Sequence, residues 1–368
     1  MVLMLFLGVP VARQRVLIMA GGTGGHIFPG LAVARALSQQ GYDVAWLGTA
    51  YGMEKELVPA AGFHLTTLAV RGFRGKGLRQ KIVSLLRLGW SLLQALYSVW
   101  RLQPVFVLGF GGYASVPGGL AAWLLRKPLI IHEQNAVAGT SNRLLARFSR
   151  RVCEAFPGVF LSQRAKLTGN PVRAEIHALS AVTLAKFDQV RPLQILILGG
   201  SQGSQAINEI CPAAMALFLP QARPKIWHQT GQQHLTTVTQ AYEQAGVCAR
   251  VDAFIAEMSV AYAWADLVIA RAGALTVSEL AAAGLPSILI PLPNAIDHHQ
   301  QKNAEYLAAG AAAVILPQAE LTPSHLHAQI KALGVFAQLQ SMAQAARKLA
   351  MPDATDAIIS QCLEAVHG

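Results

Sequence analysis

The chain has 368 residues, enough for two domains with cores of their own. Hydrophobic residues make up 53% and charged ones 13%, and the mean hydropathy is +0.38, greasy for a soluble protein yet well short of a multi-span membrane protein. A net charge of +11 points to anionic partners, either phosphates or an acidic lipid surface; nucleic acid is set aside because no aromatic-basic interleaving and no RNA-binding module appears.

Four cysteines, Cys153, Cys211, Cys248 and Cys362, form no C-x-x-C pair, which suits a reduced cytosolic protein rather than a disulfide scaffold or a zinc site. The apolar start, Met1 to Val9, has no basic n-region, so it reads as a short extension rather than a signal peptide. A strand, Val16–Ala20, then leads into Gly21-Gly22-Thr23-Gly24-Gly25-His26, followed by a helix over Leu31–Gln40 and a strand over Val44–Gly48. Strand, glycine turn and helix aim backbone N–H groups and a helix N-terminus at one spot, which attracts phosphate. His26 falls between this loop and a helix expected to begin near Pro29, where the positive end of the helix dipole disfavours imidazolium. A neutral imidazole is what a general base needs; the blander reading is that His26 hydrogen-bonds loop backbone or a phosphate.

Between Leu57 and His132 there is no Asp or Glu but nine Lys or Arg. Arg71, Arg74, Lys76, Arg79, Lys81 and Arg87 lead into an apolar run that includes Ile82, Leu85, Leu86 and Trp90 and continues to Trp100. Arg87, Gln94 and several serines interrupt it, so it reads as a helix lying on anionic lipid; the competing reading is a core helix with a solvated charged flank. A strand over Val105–Gly109 opens a third glycine turn, Gly109–Ser115, and another over Leu129–His132 ends at Glu133, Gln134 and Asn135, a place where α/β folds put ligand contacts. The Asn135 amide is a candidate for a sugar hydroxyl. Glu133 is a weaker alternative base, or a group that orients a neighbour.

The plan repeats in the second half: strand Ile195–Leu198, loop Gly199-Gly200-Ser201-Gln202-Gly203-Ser204, helix Ile207–Leu217, and strands Lys225–Gln229, Leu267–Ala270 and Ser287–Ile290. The dinucleotide fingerprint G-x-G-x-x-G fails at both loops, where Ile27 and Ser204 replace the third glycine, and neither Trp46–Thr49 nor Trp227–Thr230 carries the ribose-binding acid. No Gly-Lys-Ser/Thr follows either loop, which excludes a Walker site. A carboxylate is available instead at Glu279, in Arg271-Ala-Gly-Ala-Leu-Thr-Val-Ser-Glu279 ahead of a helix over Val277–Ala283. It either accepts two ribose hydroxyls or closes a capping box with Thr276.

Seven segments in order, Gly21 to Gly30, Gly109 to Ser115, His132 to Asn135, Gly169 to Arg173, Gly199 to Gly203, Ala274 to Glu279 and His299 to Ala304, resemble the MurG family of bacterial N-acetylglucosaminyltransferases over nearly the whole chain, from about Arg15. The resemblance implies an α/β protein of the GT-B glycosyltransferase fold, two Rossmann-like doubly wound parallel-sheet domains facing a cleft. Residues 1–175 would form the acceptor and membrane-associating domain and 176–349 the donor domain, with 350–368 free to pack back on the first. It implies inverting transfer of N-acetylglucosamine from UDP-N-acetylglucosamine to lipid I, giving lipid II, at the cytoplasmic face of the inner membrane, beside other cell-wall synthesis or division proteins. In this resemblance Arg173, Ser201 and the Gly199–Gly203 loop lie near the donor diphosphate. Ile255 meets uracil through its backbone, Ala274, Leu275, Thr276, Val277 and Ser278 lie at the donor, Glu279 meets the ribose, and Gln300 the sugar. Thr23, Gly24 and Gly25 line the diphosphate or sugar, and Gly111, Gly112 and Tyr113 are assigned to the acceptor pyrophosphate. His298 and His299 read as solvated loop residues. No Asp-x-Asp motif holds Mg²⁺, so no obligatory metal or cofactor is expected. A UDP-N-acetylglucosamine 2-epimerase shares fold and donor but needs no lipid-facing patch, and a non-catalytic UDP-sugar-binding scaffold would not need both His26 and Glu279.

Overall fold

The computed structural model describes residues 13–70, 78–179, 187, 191–200 and 202–367, with side chains left out for 78–86 and 296. The chain divides into two compact units: the first holds the chain up to His132, Thr140–Val152 and the chain from Ile358, the second Glu133–Gly139 and Cys153–Ala357. The sequence places the divide after residue 175, at a loop-rich stretch; the packing assigns the chain from Cys153, within the strand Arg151–Glu154, to the second unit, and Phe156 and Ile176 belong to a core built around the second sheet.

The first sheet runs β1 (Arg15–Ala20), β2 (Asp43–Thr49), β3 (His64–Leu68), β4 (Val107–Gly111), β5 (Leu129–Glu133), β6 (Arg151–Glu154) and β7 (Ala165–Leu167), in the spatial order β3-β2-β1-β4-β5-β6-β7. The pairs around β1 are parallel. Val16 to Ala20 are wholly buried, as expected of a central parallel strand covered on both faces. The second sheet comprises β8 (Gln194–Leu198), β9 (Lys225–Gln229), β10 (Ala249–Asp252), β11 (Leu267–Ala270), β12 (Ser287–Leu289) and β13 (Ala313–Ile315), ordered β10-β9-β8-β11-β12-β13 with parallel pairing. In each sheet the strand order reverses beside the strand that carries a glycine loop, β1 in one and β8 in the other. That reversal is where an open α/β sheet offers a crevice at its carboxyl edge.

Several boundaries differ from the sequence reading. The helix after β1 spans Gly24–Gln39 with Pro29 inside it, and Thr23 is its N-cap, its carbonyl accepting the N–H groups of His26 and Ile27. His26 therefore lies within the first helical turn instead of ahead of the helix. The helix expected over Val277–Ala283 spans Ala274–Ala283, with Gly273 as N-cap. The last helix, Ala354–His367, passes into the first unit, where Arg150 Nη1 donates to the Ala365 carbonyl at 2.9 Å.

Two glycine loops of the first unit touch backbone to backbone. A Cβ on Gly112 would stand 2.3 Å from the Gly21 carbonyl oxygen, and Gly112 has φ +86°, so both space and conformation require glycine. Gly112→Ala is expected to lower folding stability by on the order of 3 kcal/mol, read from the midpoint of urea unfolding at constant m-value.

Candidate active site

In the first unit the glycine loop, His26 and the turn after β4 form one cluster. A Cβ on Gly111 would meet His26 Cδ2 at 3.2 Å and Nε2 at 3.3 Å, which puts the imidazole edge directly against the third glycine turn. Ser115, buried at the start of the helix Ser115–Leu124, donates through Oγ to the Gly111 carbonyl at 2.7 Å and holds that turn closed. Tyr113 is exposed beside it. The loop rests on a residue that the sequence reading passed over. Glu54 opens the helix Glu54–Ala60 and is fully buried, accepting the Gly22 N–H at 2.9 Å on Oε2 and the Thr49 N–H at 2.9 Å on Oε1. The end of the second strand is thus met by a carboxylate from the following helix, five residues beyond Thr49.

The second unit holds the remaining described candidates. Glu133 accepts the Asn135 N–H at 3.0 Å and its amide at 3.2 Å on Oε1, and the Gly139 N–H at 2.9 Å on Oε2. Both oxygens are thus committed to the loop it precedes, which is the orienting reading of this residue. Asn135 accepts from Asn303 Nδ2 at 3.2 Å, and Asn303, wholly buried, also donates to the Ala272 carbonyl and accepts the Ala136 N–H. Asn303 lay inside a quoted motif without a role; its burial is what identifies it.

The loop after β8 is shaped by close approaches: a Cβ on Gly231 would come 2.4 Å from the Gln202 carbonyl oxygen, and Gly203, with φ +81°, leaves no room against the Thr230 carbonyl. Ser201 lies outside the described residues. Gln229, the last residue of β9, donates through Nε2 to the Gly200 carbonyl at 3.0 Å and accepts the Ile255 N–H on Oε1 at 2.8 Å. The Ile255 N–H is therefore engaged inside the protein, and its carbonyl is the main-chain group it can present to a base.

Glu279 is not part of a capping box. The helix begins at Ala274, so Thr276 is in its first turn and cannot be the N-cap, and Gly273 makes no side-chain cap. Instead Glu279 accepts the Tyr262 hydroxyl at 2.9 Å on Oε2 and Arg173 Nη2 at 3.4 Å on Oε1. Arg173 thus stands beside the carboxylate read as ribose-binding, and its guanidinium also faces Glu175 at 3.9 Å. Burial pushes the Glu279 carboxyl above its ordinary value, while the Arg173 charge and the Tyr262 hydroxyl pull the other way. Tyr262, itself buried, is pushed well above the ordinary phenol range, so it stays a donor. Ser278 donates back to the Ala274 carbonyl and accepts from the Asn170 amide at 3.0 Å. Gln300, in the first turn of the helix His299–Ala309, accepts the Leu292 N–H at 3.0 Å; ahead of it Asp297 and His298 both adopt left-handed backbone, φ +52° and +53°, an energetically costly turn of the kind found at ligand sites. No group of three or more His, Cys, Asp or Glu is gathered for a metal ion among the described residues.

Two parallel-sheet units with glycine loops at their strand-order reversals define the GT-B class of glycosyltransferase fold. The family model described as "Glycosyltransferase family 28 N-terminal domain" matches residues 16–154, and "Glycosyltransferase family 28 C-terminal domain" matches residues 194–358. Relatives from Stutzerimonas stutzeri (strain A1501) and Nitrosococcus oceani are 54% and 51% identical, each over 96% of this chain and 99% of their own; both are named UDP-N-acetylglucosamine--N-acetylmuramyl-(pentapeptide) pyrophosphoryl-undecaprenol N-acetylglucosamine transferase. The crystal structure of Acinetobacter baumannii MurG is similar with a TM-score of 0.83 and 38% identity, covering 95% of this chain and 99% of that one. A Neisseria meningitidis UDP-GlcNAc 2-epimerase, at TM-score 0.65 and 13% identity over 95% of this chain and all of its own, shares the fold alone. The chain belongs to the MurG family of glycosyltransferase family 28.

Replacing Tyr262 with Phe removes a hydrogen bond that favours ionised Glu279. If that carboxylate holds the ribose, donor use fails as pH falls through its raised pKa, and Tyr262→Phe moves this acid limb of kcat/KM for the sugar nucleotide to still higher pH. An unmoved limb would separate Glu279 from donor binding.

Proposed function

We propose that this chain transfers N-acetylglucosamine from UDP-N-acetylglucosamine to the 4-hydroxyl of the N-acetylmuramyl group of lipid I, forming lipid II in peptidoglycan synthesis, with inversion at the anomeric carbon. The observation that carries this reading is identity above 50% over nearly the full length of relatives bearing that transferase name. The epimerase alternative rests on likeness of fold.

In the reaction the acceptor oxygen bonds to the anomeric carbon as the bond from that carbon to the UDP oxygen breaks. The hydroxyl proton passes to His26, and the negative charge gathers on the leaving diphosphate. His26 suits the proton: it occupies the first turn of a 16-residue helix, where the dipole favours the neutral ring in the resting enzyme. The N-terminus of the helix Gln205–Ala216, the Gly199–Gly203 main chain, Ser201 and Arg173 are the groups that would meet the growing charge, so no obligatory metal is needed. Glu279 takes the ribose hydroxyls and the Ile255 carbonyl the uracil N–H, with Gln300 and Asn135 serving the sugar. Thr23, Gly24 and Gly25 line the donor diphosphate or sugar, and Gly111, Gly112 and Tyr113 face the acceptor pyrophosphate.

Attachment to the membrane is read from the helix Leu78–Leu102. Its small residues Ser91, Ala95 and Val99 are wholly buried, while Trp90, Leu93, Tyr97 and Trp100 are each more than half exposed at i, i+3, i+7 and i+10. The aromatic face therefore looks away from the core, against the core-helix reading. Arg74 and Lys76 lie outside the described residues, and the side chains of Arg79, Ile82, Leu85 and Leu86 are not described. No helix among the described residues is long and apolar enough to cross a membrane. A basic segment running into an exposed aromatic face fits peripheral attachment to anionic lipid at the cytoplasmic surface.

Incubation with labelled UDP-N-acetylglucosamine and a lipid I analogue should give a transferred sugar and UDP, unaffected by EDTA. Epimerised sugar without transfer would support the epimerase instead. His26→Ala should lower kcat by about 100-fold or more; near-native turnover would remove His26 from the proton transfer. Trp90→Glu combined with Trp100→Glu should abolish sedimentation with phosphatidylglycerol vesicles while leaving UDP affinity unchanged, and full vesicle binding by the double variant would refute the attachment face.

A further inference from the structure

We infer that Glu54 is a positioning residue for the transfer reaction: its carboxylate is a built-in anion that fixes the first glycine loop, and with it His26, in working geometry. The inference rests on the reading of His26 as the group that takes the acceptor proton.

A strand, glycine turn and helix N-terminus create a concentration of unpaired N–H groups that binds an anion. At this loop the chain supplies one itself. Glu54 Oε2 accepts the Gly22 N–H at 2.9 Å, while Oε1 accepts the Thr49 N–H at 2.9 Å and the Thr49 hydroxyl at 2.6 Å. Glu54 is 0% exposed, and a carboxylate so buried is tolerated when several donors converge on it. All three donors here are neutral, two from the main chain, so the contact registers backbone position rather than balancing a distant charge.

The surrounding glycines show independently that the space is built for this group. A Cβ on Gly21 would lie 2.6 Å from Oε1, one on Gly48 2.8 Å from Cγ, and one on Gly52 2.0 Å from Oε2. Three strand-end and loop positions thus lack side chains where Glu54 needs their volume. The Gly22 carbonyl receives the Met53 N–H at 3.5 Å, so the loop and the Glu54 segment are tied in both directions.

From Gly22 the constraint passes along the chain. Thr23 caps the helix, and its carbonyl accepts the N–H groups of both His26 and Ile27. A shift at Gly22 therefore turns the first helical turn and moves the imidazole, which packs against Gly111. Small displacements of a catalytic base are expressed chiefly in turnover. Affinity for UDP, which the proposed function places mainly on residues of the second unit, is the control.

The test compares Glu54→Gln and the milder Thr49→Val with the unaltered enzyme in the lipid I assay, with UDP binding measured by calorimetry. Glu54→Gln presents an amide N–H₂ to one of the N–H donors; kcat should fall about tenfold to a hundredfold, with the Kd for UDP within about twofold of normal. Thr49→Val, which removes one of the three hydrogen bonds, should lower kcat several-fold with the same unchanged Kd. Native turnover in Glu54→Gln overturns the inference, as does native turnover in Thr49→Val if Glu54→Gln does not fold. Parallel losses of kcat and UDP affinity in either variant also overturn it, because they mark general destabilisation. Failure of the unaltered enzyme to transfer sugar would instead count against the proposed function, before any variant is considered.

Discussion

Contacts between main chains, with no side chain between them, govern how each unit presents its glycine loop. In the first unit Gly112 lies against Gly21; in the second Gly203 lies against Thr230 and Gly231 against Gln202. Each contact joins the turn that follows one central strand to the turn that follows its neighbour: β1 and β4, where the strand order reverses, in the first unit, and β8 and β9 in the second. A Cβ at any of these positions would push the two turns apart. The residues that follow, His26 in one unit and Ser204 with its helix in the other, are placed by how closely those backbones approach.

Close main-chain packing leaves loop N–H and C=O groups that ladder hydrogen bonds cannot reach, and these must find partners. The solution recurs: a buried polar side chain from the adjoining strand end or the following helix. Glu54 serves Gly22 and Thr49, Glu133 serves Asn135 and Gly139, Gln229 joins Gly200 to Ile255, and Asn303 joins Ala136 to Ala272. Glu54 and Glu133 accept mainly from backbone N–H groups that cannot swing away. Glu279 differs in kind, because it accepts from the side chains of Tyr262 and Arg173 and its own side chain is 18% exposed. Of the three carboxylates it is the one whose acceptor capacity can be redirected to a ligand without unmaking a loop.

Much of this was legible in the sequence because its signals are local. Short apolar runs before glycine clusters located β1, β8, β9 and β11 within a residue or so. The signal failed where structure depends on a partner distant in the chain. Helix starts were set too late at Gly24 and Ala274 because Thr23 and Gly273 cap through the main chain and leave no capping side chain to recognise. Glu54 and Gln229 escaped notice for a related reason. An acid opening a surface-like helix and an amide ending a strand are ordinary residues until the fold folds them under a loop. Their only sequence trace is the excess of glycines nearby, at 21, 48 and 52 for Glu54 and at 200 and 203 for Gln229, which reads equally well as ligand binding. The edge strands β3, β7, β10 and β13 are short or weakly apolar and carry too little periodicity to announce themselves.

The helix Leu78–Leu102 shows why burial pattern says more than hydrophobicity. A helix that serves only the core turns its largest apolar side chains inward and its small or polar ones to water. Here the order is inverted: Ser91 and Ala95 face the core, and Trp90 and Trp100 do not. Large aromatics left exposed in a row are costly in water and gain free energy when an apolar surface covers them. Tryptophan in particular prefers the boundary between hydrocarbon and water, where its ring is buried and its N–H stays wet. The inversion thus accords with the proposed attachment at a lipid–water interface. In the proposed reaction a water-soluble nucleotide sugar meets a polyprenyl-linked acceptor, and a helix of this kind would hold the enzyme at the boundary where they meet.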